Sequence, residues 1–478
     1  MRKAIALLSI LLMACTLQAQ NESRVAYYDS LTYADYLKAD WKELHQHGKS
    51  AIKEKAAGDW VYKRMGYGLN VRRKYLNSTY YYNKVLHENR EDADALVMNF
   101  NNYINSGMFG SAGVIDRWMT DELRDYVGVR RKILESIYVE GGAAISNNLK
   151  QNGSTRLFDQ QHVLGTQDLT TAMYYWQLGF KVNAGKAISF YLAYNGLLST
   201  HVEQYQYGYP KLVGTEPAQN NGVPYNRNIY QPGDSLTQFK FNAQQHQAYV
   251  SMNAALPYGW GFSPFLHLIV YNTTYTNFNS QPQFYYAQPI DTFQSVRPLI
   301  RYTSTPLTSV DVALGFSLTK QYRNLGFEVG ASFSSLSKQN VLQANAAVSY
   351  YPLGNTYLSF TPRLTYLNIA GSNKLLYQLD VSARLHKYLW LSVLGTYGDL
   401  LFSNEKNGLL VFNSYNSTKY RIGATVYTPV HKNVELFLNY QFRQMQGYNN
   451  RFTNNTNYTT YQTSYQNHLI TLGLKFNL

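Results

Sequence analysis

The chain has 478 residues, of which 45% are hydrophobic and 15% are charged, with a formal net charge of +14 and one cysteine. A single cysteine excludes an internal disulfide framework and a cysteine-based metal site. The positive charge forms no clustered basic stripe, which argues against nucleic acid as a partner.

Residues 1–19 have the pattern of a secretory signal peptide. Arg2 and Lys3 precede an apolar run over residues 4–14, and Leu17-Gln18-Ala19 forms a cleavage site. We therefore predict an exported protein. The sequence ending at Cys15 also resembles a lipoprotein box, in which Cys15 would be acylated, but ordinary cleavage is the preferred prediction. After the signal there is no run of 18 apolar residues, as an inner-membrane helix would need.

Residues 20–130 are predicted to form a small all-α domain. They contain no proline, and their apolar residues recur with helical periodicity. The pattern predicts three helix pairs, near 28–37 with 40–54, 59–71 with 75–88, and 93–105 with 109–119. The pairs repeat with a period of about 34 residues, as stacked helical repeats do.

The middle pair carries a family resemblance. Tyr62, Met65, Gly66 and Leu69 stand at the places of the Trp, Leu, Gly and Tyr of tetratricopeptide (TPR) repeats, and Ser78 and Tyr82 stand at those of its Ala and Phe. The segment therefore resembles TPR repeats, although its outer units are degenerate and an unrelated helical bundle is the alternative. The resemblance implies a superhelix whose concave face binds a peptide or protein. Carried over by position, this groove would comprise Trp60, Lys63, Tyr67, Asn70, Asp94, Val97 and Asn101.

Residues 131–478 are predicted to form an all-β, transmembrane antiparallel barrel of about 14 strands. Fourteen segments alternate apolar and polar residues, and the links between them are alternately short and long. Short links include 183–186, 256–259 and 322–324, whereas long ones are expected around 147–169, 204–237 and 278–303. This rhythm is typical of barrels with tight periplasmic turns and larger outside loops. A soluble β-sandwich or solenoid is the alternative.

Two further patterns refine this prediction. Charged residues number 34 in the 115 positions of 21–135 but 36 in the 343 positions of 136–478, so the charge density falls at the proposed boundary. Near His246 the apolar parity changes, which predicts a β-bulge or a strand that extends beyond the membrane.

The polar parity of the strands predicts a charged lumen. Asp380 and Arg384, two inward positions apart, are expected to take part in a network there. Such charges either line a path for a solute or hold one another as a packed plug, and both interpretations stay open. The predicted lumen-lining residues are Glu140, Lys181, Lys240, Asp311, Glu328, Arg363, Asp380, Arg384, Arg421, Glu435, Arg443 and Lys475.

Enzyme signatures fail on inspection, and no cofactor is predicted. Gly179 to Lys186 has the wrong spacing for a phosphate loop, and there is no His-Glu-x-x-His or Gly-x-Ser-x-Gly motif. The whole chain resembles Gram-negative outer-membrane barrels with a periplasmic TPR-like domain. This implies contact with outer-membrane lipid and lipopolysaccharide and a periplasmic or envelope protein partner.

The preferred hypothesis is a non-enzymatic protein whose helical domain docks this partner in export or surface assembly. The alternative is a solute channel or transporter whose helices regulate access. A lipid-modifying barrel enzyme is the least favoured.

Overall fold

The computed structural model describes residues 22–128, 132–158, 164–284, 296–414, 416–453 and 457–478. The predicted signal peptide and Cys15 lie outside these residues. No helix in the described ranges is long and apolar enough to cross a membrane.

Seven helices precede the barrel in the described chain. The helices are α1 at 22–37, α2 at Trp41–Lys53, α3 at Asp59–Val71, α4 at Tyr75–Glu88, α5 at Ala93–Asn105, α6 at Phe109–Trp118 and α7 at Asp121–Val127. The side chains of Asp40, Asp92 and Thr120 accept hydrogen bonds from backbone N–H groups at the starts of α2, α5 and α7, as N-cap residues do.

The helices pack closely where the sequence places small residues. A Cβ atom at Gly66 would lie 2.7 Å from the Tyr82 ring, so α3 and α4 could not approach this closely with any larger residue. The Ser78 hydroxyl donates to the carbonyl of Gly66 at 2.7 Å and accepts from the Asn102 amide at 2.8 Å. The middle helix pair is therefore tied to α5 by a buried hydrogen-bond chain.

Fourteen antiparallel strands close into a barrel, in the order β1-β16-β15-β14-β11-β10-β9-β8-β7-β6-β5-β4-β3-β2. The predicted barrel after a helical segment is thus confirmed. The last described helix ends at Val127 and the first wall strand begins at Leu134. The wall strands are β1 Leu134–Ser146, β2 Leu164–Asn183, β3 Ile188–Asn220, β4 Val223–Leu256, β5 Trp260–Phe284, β6 Val296–Tyr322, β7 Leu325–Ser334, β8 Val341–Tyr350, β9 Leu358–Ile369, β10 Ser372–His386, β11 Leu389–Tyr397, β14 Ser417–His431, β15 Val434–Phe452 and β16 Tyr458–Asn477.

The wall alternates an apolar outer face with a polar inner face. On β6 the outward Val310, Leu314 and Phe316 are 63%, 48% and 43% exposed, whereas the inward Asp311 is 1% exposed. The closed ladder pairs the backbone N–H and C=O groups of neighbouring strands within the wall, and the outer face is apolar. A hydrocarbon environment demands both properties. The barrel is therefore built to span a membrane.

The two rims of the barrel differ. One rim, called here the turn rim, carries six short links between strands, at 184–187, 257–259, 323–324, 351–357, 387–388 and 432–433. The first wall strand begins and the last one ends at this rim. The opposite rim is called the loop rim. It carries the short helix α8 (Asn148–Asn152) between β1 and β2.

The prediction of long loops around 204–237 and 278–303 is wrong for most of these residues. Strands β3 and β4 continue for 33 and 34 residues and meet in a tight turn, where Asn221 and Gly222 have φ values of 50° and 80°. Strand β5 likewise continues to Phe284, and β6 resumes at Val296. Backbone pairing continues past the lipid because neighbouring strands satisfy each other's polar groups wherever they run.

No bulge lies at His246, because the pairing of β3 with β4 is in continuous register from Tyr230 to Ala254. The apolar residues change face along β4: Phe239 lies on the inner face, where its ring centre is 4.8 Å from that of Tyr302, whereas Val250 lies on the outer face. This corrects the placement of Lys240. Lys240 is exposed and shares the outer face with Val250, so it does not line the lumen.

Candidate functional surfaces

A segment that sequence analysis missed crosses the lumen. Residues 398–414 link β11 to β14 and contain a two-stranded sheet, β12 (Asn404–Glu405) paired with β13 (Leu410–Val411). We call residues 398–414 the luminal hairpin. The His267 ring lies 2.6 Å from the carbonyl oxygen of Gly408, and the Tyr249 hydroxyl donates to the carbonyl of Asn407 at 2.8 Å.

The luminal hairpin spans the full width of the barrel. It is anchored in β14, where Arg421 forms an ion pair with Glu405, and its tip contacts His267 on β5. Seven steps along the closed strand order separate β14 from β5 in either direction, so these strands are diametrically opposite. The lumen of the described barrel is therefore occupied by the protein's own chain.

The base of the luminal hairpin is fixed by charge and apolar packing. Asp399 accepts hydrogen bonds from Lys374 at 2.9 Å and from Lys419 at 3.3 Å. Leu400 and Phe402 are buried in a cluster with apolar side chains from β5, β8, β9 and β10. Apolar residues that turn inward in a barrel can be covered only by another luminal segment, and that is what the luminal hairpin provides.

Ten of the predicted lumen-lining residues lie at inward positions, and most have a partner. Arg363 forms a bidentate ion pair with Glu328 at 2.7 and 2.9 Å, and Lys475 pairs with Glu435 at 3.3 Å. The other six are described by their contacts: Glu140 lies opposite Gly473, Lys181 pairs with Glu135, Asp311 accepts from Asn413, Asp380 accepts from Gln378, Arg421 pairs with Glu405, and Arg443 donates to Gln441.

Arg384 does not join Asp380, contrary to the expected network. Its guanidinium donates to the carbonyls of His386 and Lys387 at 3.4 and 3.2 Å, and it lies over the Tyr357 ring at 4.7 Å. The side chain follows the bend of the strand at the turn rim, where unpaired carbonyls are available. Arg384 therefore stabilises a turn instead of lining the lumen.

The helical domain rests on four consecutive links of the turn rim. The N–H of Leu76, at the start of α4, donates to the carbonyl of Gly354 at 2.9 Å, and the Asn355 amide donates to the carbonyl of Arg73 at 2.9 Å. Lys186 in the first link pairs with Asp116 of α6 at 3.0 Å.

Aromatic rings complete this junction. The Tyr258 ring, in the second link, lies 5.9 Å from Trp118 and 5.7 Å from His87. At the end of β6, next to the third link, Tyr322 contacts Tyr80 of α4 with their ring centres 5.3 Å apart. The contacts with the rim thus come from α4, α6 and the turn between α3 and α4.

The opposite layer of helices carries the residues of the predicted groove. Trp60 and Asp94 are exposed, whereas Lys63 is held by Asp92 at 2.7 Å and by Asp94 at 3.3 Å. Asn70 donates to Asn102 at 2.7 Å.

The remaining positions of this groove are partly covered. Tyr67 packs against Trp41 and Tyr36, and it remains 37% exposed. Val97 and Asn101 are half-buried on α5. These positions share one surface, but Lys63 and Asn70 are already occupied by contacts within the domain.

One histidine of the helical domain has a strongly altered acidity. His45 is half-buried beside the Tyr81 ring, and its Nδ1 has no hydrogen-bond partner among the described residues. Burial, with the nearby charges of Lys49 and Arg72, lowers the pKa of His45 to about 4. Within the described residues, no group of three or more His, Cys, Asp or Glu side chains could hold a metal ion.

No protein-family model and no curated relative matches the chain. Solved β-barrel structures do match. The translocator domain of the autotransporter NalP from Neisseria meningitidis is 9% identical, with 79% of this chain and 99% of that chain covered and a TM-score of 0.34. The P. putida toluene transporter TodX is 8% identical, with coverages of 79% and 94% and a TM-score of 0.37. A Pseudomonas aeruginosa FadL homologue is 7% identical, with coverages of 72% and 90% and a TM-score of 0.38.

These scores are low, so the chain's own geometry defines its class. A closed barrel of fourteen antiparallel strands, apolar outside and polar inside, is the architecture of outer-membrane β-barrel proteins. The protein is of this class, with a helical domain docked on its turn rim.

Proposed function

We propose that the protein is a non-enzymatic outer-membrane protein that holds its helical domain in the periplasm, where the face formed by α1, α3 and α5 binds a segment of another envelope protein. The observation that carries this proposal is the orientation of the domain. The barrel contacts come from α4, α6 and the α3–α4 turn, which leaves the face of α1 and α3 directed away from the rim.

The filled lumen supports the same function. A segment that crosses the whole barrel and is held by a buried ion pair obstructs the lumen. This favours a barrel that anchors the protein in the membrane over one that serves as an open pore. Short links are typical of the periplasmic rim of such barrels, which supports a periplasmic location for the helical domain.

The exposed side chains indicate the chemistry of the partner. Trp60 is 58% exposed and Tyr33 is 48% exposed, and both flank the guanidinium of Arg64. The carboxylate of Asp94 is also exposed beside them. Large exposed aromatic side chains are typical anchors of protein interfaces. A partner segment with an apolar side chain and a nearby cationic group would fit this surface.

Photo-crosslinking in intact cells tests the proposal. A photoreactive residue at Trp60 of the full-length protein should give one defined adduct, and the same residue at Tyr126, which is 79% exposed on α7, should not. Tyr33→Ala in the Trp60-labelled chain should weaken this adduct. Equal labelling at both positions, or no adduct at Trp60, would refute docking at this face.

A solute channel is the second candidate, because the inner wall is polar and, in the part of the chain that the structure describes, Arg443 and Asp380 are hydrogen-bonded to neutral amides alone. In that case planar bilayers should show single-channel conductance, and Arg363→Gln together with Arg443→Gln should change its ion selectivity. Absence of conductance in both the wild-type protein and the double variant would exclude the channel function.

A further inference from the structure

Arg421 is among the most deeply buried charged side chains of the described barrel, at 1% exposure. Its Nη2 donates to Glu405, its Nε donates to Thr396 at 3.2 Å, and the Phe412 ring covers its guanidinium at 5.2 Å. Its Nη1 is buried and has no hydrogen-bond partner within the described residues. A buried N–H donor without an acceptor lowers the stability of the folded state, more so on a charged group. An acceptor bound at Nη1 would remove this cost.

A second arginine lies directly across the strand pair. Arg443 of β15 is the cross-strand partner of Arg421, and both side chains are directed inward. Within the described residues, the guanidinium of Arg443 donates to the neutral Oε1 of Gln441 alone, at 2.9 and 3.3 Å. Like charges placed opposite each other on neighbouring strands repel and destabilise the sheet.

The local charge is not balanced. Glu405 is the one carboxylate in contact with this arginine pair in the described chain, and it is bound by Arg421. Asp399, the acid paired with Lys419 two residues before Arg421 on β14, is shared by Lys419 and Lys374, and Glu328 is held by Arg363 through two hydrogen bonds. The two arginines are therefore in contact with one carboxylate within the described chain, which leaves one positive charge without an ion-pair partner.

We propose that Arg421 and Arg443 form a binding site for an oxoanion group, such as a carboxylate, phosphate or sulfate, inside the barrel beside the luminal hairpin. Guanidinium groups present parallel N–H donors that match the oxygens of such anions better than a spherical halide. Because Phe412 covers the face of the Arg421 guanidinium, the anion approaches its edge, where Nη1 lies.

The same site connects the anion to the luminal hairpin. Glu405 belongs to β12, so its carboxylate is an internal occupant of the arginine pair that arrives with the hairpin. A bound oxoanion would compete with Glu405 for Arg421. This inference goes beyond the proposed docking function and does not depend on it.

Binding of radiolabelled sulfate to the full-length protein in detergent, measured by equilibrium dialysis, tests the site. The wild-type protein should bind about one sulfate saturably, and Arg443→Gln should weaken binding by about tenfold or more, as expected for loss of charged hydrogen bonds. Arg156→Gln, which removes an exposed arginine at the loop rim, is the matched control and should bind as wild type does.

Two more measurements separate this site from a general effect of charge. Glu405→Gln removes the competing carboxylate and should tighten sulfate binding, which a purely structural role of Arg443 does not predict. Phosphate and acetate should displace sulfate, and chloride at equal ionic strength should not. Absence of saturable binding, unchanged binding in Arg443→Gln, or equal displacement by chloride would overturn the proposal.

Discussion

The guanidinium carbon of Arg323 lies 4.1 Å from the centre of the Tyr80 ring, so a turn of the barrel is clamped directly to helix α4. Tyr322 contacts the same ring, and Arg323 has a φ of 50°, which directs its side chain out of the turn and toward the helix. The cation thus lies against two aromatic rings at the junction of the two domains.

Arg323→Ala is expected to loosen the helical domain on the rim. Losing a partly desolvated cation–aromatic contact costs about 1 to 2 kcal/mol. Spin labels on cysteines introduced at Lys53 and Lys432, with Cys15 replaced, should then give a broader distance distribution than in the parent protein. Lys49→Ala, an exposed change on α2, should leave the distribution unchanged. A distribution equally narrow in Arg323→Ala would show that this clamp is dispensable.

Acid is expected to destabilise the helical domain through His45. Its pKa of about 4 in the folded protein lies below its ordinary value of 6.5, because burial disfavours the imidazolium. The folded state then binds fewer protons than the unfolded one. The stabilisation is complete above pH 6.5 and is lost as the pH falls toward 4, by on the order of 2 kcal/mol once the solvent screening of this half-buried ring is allowed for.

Thermal unfolding of the helices in the full-length protein, followed by circular dichroism at several pH values, measures this effect. His45→Gln should reduce the fall in melting temperature between pH 6.5 and 4. His87→Gln is the control, because the His87 side chain is 68% exposed. If His45→Gln retained the full pH dependence, another group would have to be responsible.

Gly408→Ala is expected to displace the tip of the luminal hairpin. Gly408 has a φ of 76°, and a Cβ there would lie 2.0 Å from the Phe265 ring. The substitution combines backbone strain of about 1 kcal/mol with a clash inside the barrel of about 1 to 3 kcal/mol. Planar-bilayer recordings should show more frequent or larger conducting events than for the wild type.

Gly371→Ala separates the two causes. Gly371 has a φ of 87° in the turn between β9 and β10, and nothing lies within 4 Å of a Cβ placed there. The Gly371→Ala variant therefore has the backbone strain without the clash, so its conductance should match that of the wild type. Equal conductance in both variants would mean that the tip does not control the lumen.

Glu328 and Arg363 are expected to be strongly coupled. Their side chains are about a quarter exposed and joined by two hydrogen bonds, so either single change leaves an unpaired charge inside the barrel. In a double-mutant cycle of Glu328→Gln and Arg363→Gln, unfolding in denaturant should give a coupling energy of about 1 to 3 kcal/mol. Pairing Glu328→Gln with Arg384→Gln should give additive effects, since these residues make no described contact.

The wall of the barrel could be predicted because its physics is local. A lipid-facing strand must be apolar at every second residue, so Val310, Leu314 and Phe316 reveal their environment without knowledge of their neighbours. The short links could be found for the same reason. The rule fails where lipid ends, which is why it predicts loops for the parts of β3 and β4 nearest the loop rim and the wrong face for Lys240.

The luminal hairpin could not be predicted, because its contacts are distant in the sequence. Glu405 and Asn404 look like ordinary loop residues until Arg421 and Gln343 are brought beside them. A weak signal was present: the link between β11 and β14 contains the apolar Leu400 and Phe402, which an exposed loop would seldom carry. In the helical domain, the repeat pattern puts the groove positions on one surface. It does not show that Lys63 is held by Asp92 and Asp94 or that Asn70 is held by Asn102.

The luminal hairpin follows β11 and precedes β14, and these two strands of the wall are hydrogen-bonded directly to each other. Both ends of the luminal hairpin are thus covalently attached at one seam, the junction of β11 with β14, and the hairpin cannot leave the barrel as a separate plug domain could. Any displacement must pivot about that seam. The resulting aperture would be a crescent beside β4 and β5, off the central axis, and its width would be limited by the length of the tether.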